Sequence, residues 1–123
     1  MGRILVVDDE EATRLALEEY FTGLGYTVDC AREAEEAEAL VGHVRYDAIV
    51  ADLRLTTSHG AEGLEIIGCV RERSPWTRII LLTAHASAEV EAEAHRRGVD
   101  RVLHKPQSLA AVAEIINALV GGH

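Results

Sequence analysis

The sequence predicts an α/β protein: one parallel sheet of five strands with helices on both faces. Three observations predict it. Five short apolar runs are spaced along the chain, and each is followed by a segment of helical pattern. The first of these runs is continuous rather than alternating, as a strand covered on both faces requires. The chain has 123 residues, which suits one domain spanning 1–123 around one sheet.

Each element has its own justification. Arg3–Val7 is short, apolar and β-branched, and reads as the first strand. Residues 11–23 form a helix with Leu17, Phe21 and Leu24 on one side, stopped by the glycines of "GLGY". "TVDCA" is the second strand. "REAEEAEALVGHV" is an Ala/Glu helix with Ala34, Ala37 and Val41 facing inward. "DAIVADL" is the third strand, and residues 61–73 the third helix, closed by Ser74-Pro75. "RIILLTA" is the fourth strand and the most apolar; residues 87–97 follow as a helix ended by Gly98. "RVLHK" is a brief fifth strand. The last helix covers 109–120, with Leu109, Val112, Ile116 and Leu119 on one face and Ser108 as its N-cap.

Composition excludes several functions. Hydrophobic residues make up 48% and charged residues 27%, the balance of a folded soluble domain rather than a disordered one. The net charge is −9, and no basic patch offers a nucleic-acid surface. No apolar run is long enough to span a bilayer, and acids follow the first short one, unlike a secretory signal. The expected location is cytoplasmic, where Cys30 and Cys69, lacking CxxC spacing, read as small core residues.

Parallel sheets of this kind hold ligands beyond the carboxyl ends of their strands. Those ends carry Asp8 and Asp9, Asp52, Thr83, and Lys105 followed by Pro106. Three carboxylates at one edge repel one another unless a cation sits among them. Oxygen-only ligands suit Mg²⁺. An ammonium and a hydroxyl beside it could hold an anion with several oxygens, such as a phosphoryl group. A carboxylate can also act as nucleophile and become an aspartyl-phosphate. A Lys-Pro bond that aims the lysine inward through a tight turn is expected to be cis.

"VVDDE", "DAIVADL", "LLTA" and "GVDRVLHKP", in this order and at βα spacing, resemble the receiver domain of two-component response regulators, of which the chemotaxis response regulator is one. The resemblance covers essentially the whole chain. It implies the flavodoxin-like fold with strand order 2-1-3-4-5. It implies that Asp52 is the phospho-acceptor in a phosphorelay, that Asp9 ligates Mg²⁺ directly and Asp8 mainly through water, and that the Arg54 carbonyl completes the ligands, Mn²⁺ being an alternative metal. Thr83 and Lys105 would bind the phosphoryl oxygens. The implied partners are a sensor histidine kinase or histidine phosphotransfer protein, and an output domain or protein target. No nucleic-acid or membrane contact is expected of this domain. It would be a signalling switch rather than an enzyme, promoting only its own phosphorylation and slow dephosphorylation.

The chain departs from that pattern in places. Thr56 stands where the family usually has Pro. Thr83 lies 31 positions after Asp52, a few more than usual, with the surplus in "TTSHGAEG". That 56–63 loop is expected to be the more mobile. Val102 replaces an aromatic whose ring follows the threonine in the family's switch, and Gln107 replaces a common Phe. Taken singly, Asp8-Asp9 reads as a helix-start signal, Thr83 as a strand-end hydroxyl and Lys105 as a surface lysine. Only their combination promotes them. Glu10 and Glu11 remain first-turn acids. The six histidines lack metal-ligand spacing, although His85 and Arg54, each two positions after a site residue, could tune dephosphorylation. Trp76 is expected to pack where helix 3 meets strand 4.

The alternative reading is a receiver-fold interaction module that works without phosphorylation, motivated by the altered loop, Val102 and Gln107. A flavodoxin-like cofactor binder would need a glycine loop after strand 1, where Asp8-Asp9 would repel a phosphate. A hydrolytic phosphatase would need a second acid where Arg54 stands.

Overall fold

The computed structural model describes residues 2–52, 60–84 and 87–121. Its ten elements are β1 (Arg3–Asp8), α1 (Glu11–Gly23), β2 (Thr27–Ala31), α2 (Ala34–Val41), β3 (Ala48–Asp52), α3 (Gly60–Arg73), β4 (Arg78–Thr83), α4 (Ala88–Arg96), β5 (Arg101–His104) and α5 (Leu109–Gly121). The strands form one sheet in the order β2-β1-β3-β4-β5, and every neighbouring pair is parallel. The sheet therefore has the expected winding, with its order reversing beside β1 and β3.

Alternation along each strand divides the core in two. Leu5, Val7, Ile49, Ala51, Ile79 and Leu81 face a layer that includes Ala37, Val41, Leu64 and Ala94 of α2, α3 and α4. Ile4, Val6, Val50, Ile80 and Leu82 face Leu17 and Phe21 of α1 and Val112 and Ile116 of α5. Burial on both faces is why β1, β3 and β4 carry no polar residue except at their ends. Ser108 caps α5 by accepting from the Ala111 amide at 3.0 Å, and Ser87 caps α4 through the Val90 amide at 3.2 Å.

Three packing expectations need correction. Leu24 is not part of the α1 face: it caps the helix and is 39% exposed, because the chain turns there toward Gly25. Cys69 lies on the solvent side of α3 and is exposed, while Cys30 is half-buried, so only Cys30 approaches the core role expected of both. Trp76 is 46% exposed in the α3–β4 turn, where the Arg45 guanidinium lies 4.5 Å from its ring centre. The cation covers a face that the core does not.

At the amino-terminal edge of the sheet, Arg71 joins three segments. Its Nη1 donates to the carbonyls of Ser74, Pro75 and Thr77, and its Nη2 to the Gly98 carbonyl at 2.7 Å and Asp100 Oδ2 at 3.1 Å. Asp100 also accepts from the Ile79 amide at 2.8 Å, tying the α4–β5 turn to β4. Gly98 sits at φ +104°, and a Cβ there would lie 2.8 Å from Arg71 Nε. Gly98→Ala is expected to cost about 1–2 kcal/mol for the left-handed backbone alone. A lower urea midpoint with an unchanged slope would register it.

Candidate phosphoryl-transfer site

The site is assembled by strand register. Asp8 of β1 is directly paired with Asp52 of β3, and β4 adds Thr83 opposite His104 of β5. Asp8, Asp52 and Thr83 are all buried. The residue after β5, Lys105, is anchored by its own amide, which donates to the Thr83 carbonyl at 2.8 Å. The Lys105–Pro106 bond is cis, as expected. The Lys105 ammonium is ion-paired with Asp52 Oδ2. Sheet order thus brings together Asp8, Asp52, Thr83 and Lys105, which are scattered along the sequence.

Asp8 is held in place from both sides. Its Oδ1 accepts from the Glu10 amide at 2.8 Å, and Arg14 Nη1 donates to its carbonyl at 2.9 Å. Its Oδ2 is buried and receives no N–H or O–H donor among the described residues. Burial pushes the Asp8 carboxyl up to about 6. The Glu10 amide opposes that rise, the charge and hydrogen bond of the facing Asp52 add to it, and Lys105 opposes it again. Arg14 is a supporting residue that the sequence does not announce. It sits on α1 at a position whose helical pattern says only that it is partly exposed.

Asp9 is exposed just past the strand. Among the described residues, no three acidic, histidine or cysteine side chains already stand as a metal cluster. What the chain does present is a pair of buried carboxylates, Asp8 and Asp52, with the Lys105 ammonium ion-paired to the second. Such a pair fits a hard divalent cation, which takes carboxylate oxygens and brings waters to complete its shell. Arg54, Thr56 and His85 lie outside the described residues. So does the 56–59 part of the expected loop, whereas residues 60–63 belong to α3. Val102 is half-buried against the α2–α4 layer, and Gln107 Nε2 donates to the His104 carbonyl at 2.9 Å, closing the β5–α5 turn with a polar contact.

The family model of the response regulator receiver domain matches residues 4–117. The chain belongs to that family. The receiver domain is 36% identical, over 87% of its length, to the alginate biosynthesis transcriptional regulatory protein AlgB of Pseudomonas aeruginosa. It is 33% identical, over 95% of its length, to the transcriptional regulatory protein TcrA of Mycobacterium tuberculosis. It spans 23% of AlgB and 45% of TcrA. Among solved structures, a CheY-like receiver domain protein from Methanospirillum hungatei superposes with a TM-score of 0.90 at 25% identity, covering 99% of this chain and 95% of the other. A response regulator from Burkholderia pseudomallei, solved with a phosphorylated aspartic acid, a calcium ion and citrate, superposes with a TM-score of 0.84 at 27% identity, covering 99% of this chain and 70% of that one. The domain is thus a receiver of two-component signalling, and no helix among its described residues is long and apolar enough to cross a membrane.

Proposed function

We propose that Asp52 is the phospho-acceptor of this receiver, taking a phosphoryl group from a phosphohistidine on a sensor histidine kinase or phosphotransfer protein. The observation that carries this is the pairing of Asp52 with the Lys105 ammonium, beside the buried carboxyl of Asp8. A carboxylate oxygen of Asp52 attacks phosphorus, and the bond to the histidine nitrogen breaks with its electron pair going to nitrogen. Lys105 leaves Asp52 Oδ2 to follow the charge onto a phosphoryl oxygen, and the Thr83 hydroxyl donates to another. The transition state is loose, so positioning and charge are most of what the protein must supply.

Asp8, Asp9, Asp52 and the Arg54 carbonyl would hold Mg²⁺, with Mn²⁺ as an alternative. When bound, the cation offsets the charge on the carboxylates and on the phosphoryl oxygens. The calcium ion and phosphorylated aspartic acid of the Burkholderia response regulator support both parts of this reading. The domain works in the cytoplasm as a switch, not as an enzyme acting on a separate substrate. Its output passes to an attached domain or a protein target, as the longer regulators AlgB and TcrA suggest. Incubation with acetyl phosphate and Mg²⁺ should add the mass of one phosphoryl group to the intact chain. Asp52→Asn should abolish that gain, and a chelator should suppress it. Labelling that persists in Asp52→Asn would refute the assignment.

A further inference from the structure

A cavity of about 270 Å³ opens between α1 and α5, and Asp52 and Lys105 form its polar end. Leu17, Leu82 and Val112 make its wall, and Ala16 lies on its exposed rim. Gln107 borders the same space, but its amide is engaged with the His104 carbonyl. A larger apolar side chain at that position would compete for the cavity. The space is too small for a drug-sized ligand. It joins a carboxylate nucleophile and an ammonium to an apolar wall, and so matches a ligand with a phosphoryl head and a short hydrocarbon tail.

We propose that this cavity seats the tail of a small phosphodonor, making the domain selective for short-chain acyl phosphates longer than acetyl phosphate. The inference rests on Asp52 being the phospho-acceptor. An Asp52 oxygen bonds to phosphorus, and the bond from phosphorus to the acyl oxygen breaks. The electron pair leaves with the acyl oxygen as a carboxylate, and no proton moves. With the acyl tail against Leu17 and Val112, each added methylene leaves water in the ground state and stays buried in the transition state.

The test is the rate of phosphorylation by acetyl, propionyl and butyryl phosphate at equal, subsaturating concentration in Mg²⁺, followed by intact mass. The rate constant should rise roughly fourfold per methylene, the equivalent of about 0.8 kcal/mol for each buried CH₂. Ala16→Leu, a rim change on an exposed helix position, should fill the cavity and flatten that rise, with thermal melting confirming the fold. A wild-type rate that is flat or falls with chain length would overturn the proposal, as would a rise that survives Ala16→Leu. Failure of all three donors to label the chain would instead overturn the phospho-acceptor reading beneath it.

Discussion

In the presence of a chelator, lowering the pH from about 7 to about 5 should stabilise the protein by about 1 kcal/mol through Asp8. The sign follows from the direction in which the carboxyl is displaced. It ordinarily titrates at 3.8 and is raised to about 6 in the fold, chiefly by burial. The folded state therefore holds this proton more tightly than the unfolded chain does. Stability is greatest when the group is protonated in both states, and it falls as pH climbs from the ordinary value through the raised one. Over the full span the penalty is about 3 kcal/mol, since each pH unit separating the two values corresponds to about 1.4 kcal/mol. Asp8→Asn should recover most of that at neutral pH and remove the pH dependence. Comparing the two proteins across the same pH range cancels the carboxylates that do not face Asp8. Glu93, held below its ordinary 4.5 by Arg97 and Arg96, titrates beneath this window. Millimolar Mg²⁺ should stabilise the wild type at neutral pH and do far less for Asp8→Asn. Identical urea midpoints for wild type and Asp8→Asn at pH 7 would show that the Asp8–Asp52 pair carries no such strain.

Arg71→Ala should be strongly destabilising from a position away from the site, costing roughly 3 kcal/mol. The substitution removes five hydrogen bonds at once and strands the carbonyls of Thr77 and Gly98 in partly buried surroundings. It also takes one of two arginine partners from Asp100, the other being Arg78 at 3.3 Å. Arg71→Lys should rescue little, since an ammonium cannot reach two turns with one planar fork. Because β5 enters the sheet directly after Asp100, hydrogen exchange should rise at residues 98–104 in the variant. Unchanged protection there would mean that the α4–β5 turn holds without its arginine.

How much of the structure is legible in the sequence varies with how local the determining interaction is. The strands are legible because both faces are buried, so ILVV, AIVA and IILL need no tertiary context to be recognised. The site is legible for the same reason. Asp8, Asp52, Thr83 and Lys105 each close a strand or follow one, and parallel register carries them to one edge. The side chains that support the site and the far edge are less legible. Arg14 acts through the Asp8 carbonyl, and Arg71 through four carbonyls from two turns, which no spacing rule records. Trp76 reads as a packed aromatic, but its cover is Arg45, a residue from the α2–β3 connection that only the fold brings near. Leu24 fits the helical period of α1, yet the period runs past the point where Gly25, at φ 104°, turns the chain out of the helix.

Whether the four strand ends form a cation-dependent phosphoryl site can be decided by fluorine NMR of the protein with beryllofluoride, a mimic of the phosphoryl group. With Mg²⁺ present, bound fluorine resonances should appear, shifted and broadened relative to the free species. They should vanish when Asp52 is changed to Asn or when Mg²⁺ is chelated, and weaken when Lys105 is changed to Met. Bound resonances that persist in Asp52→Asn, or none at all in the wild type with Mg²⁺, would contradict such a site at Asp8, Asp52, Thr83 and Lys105.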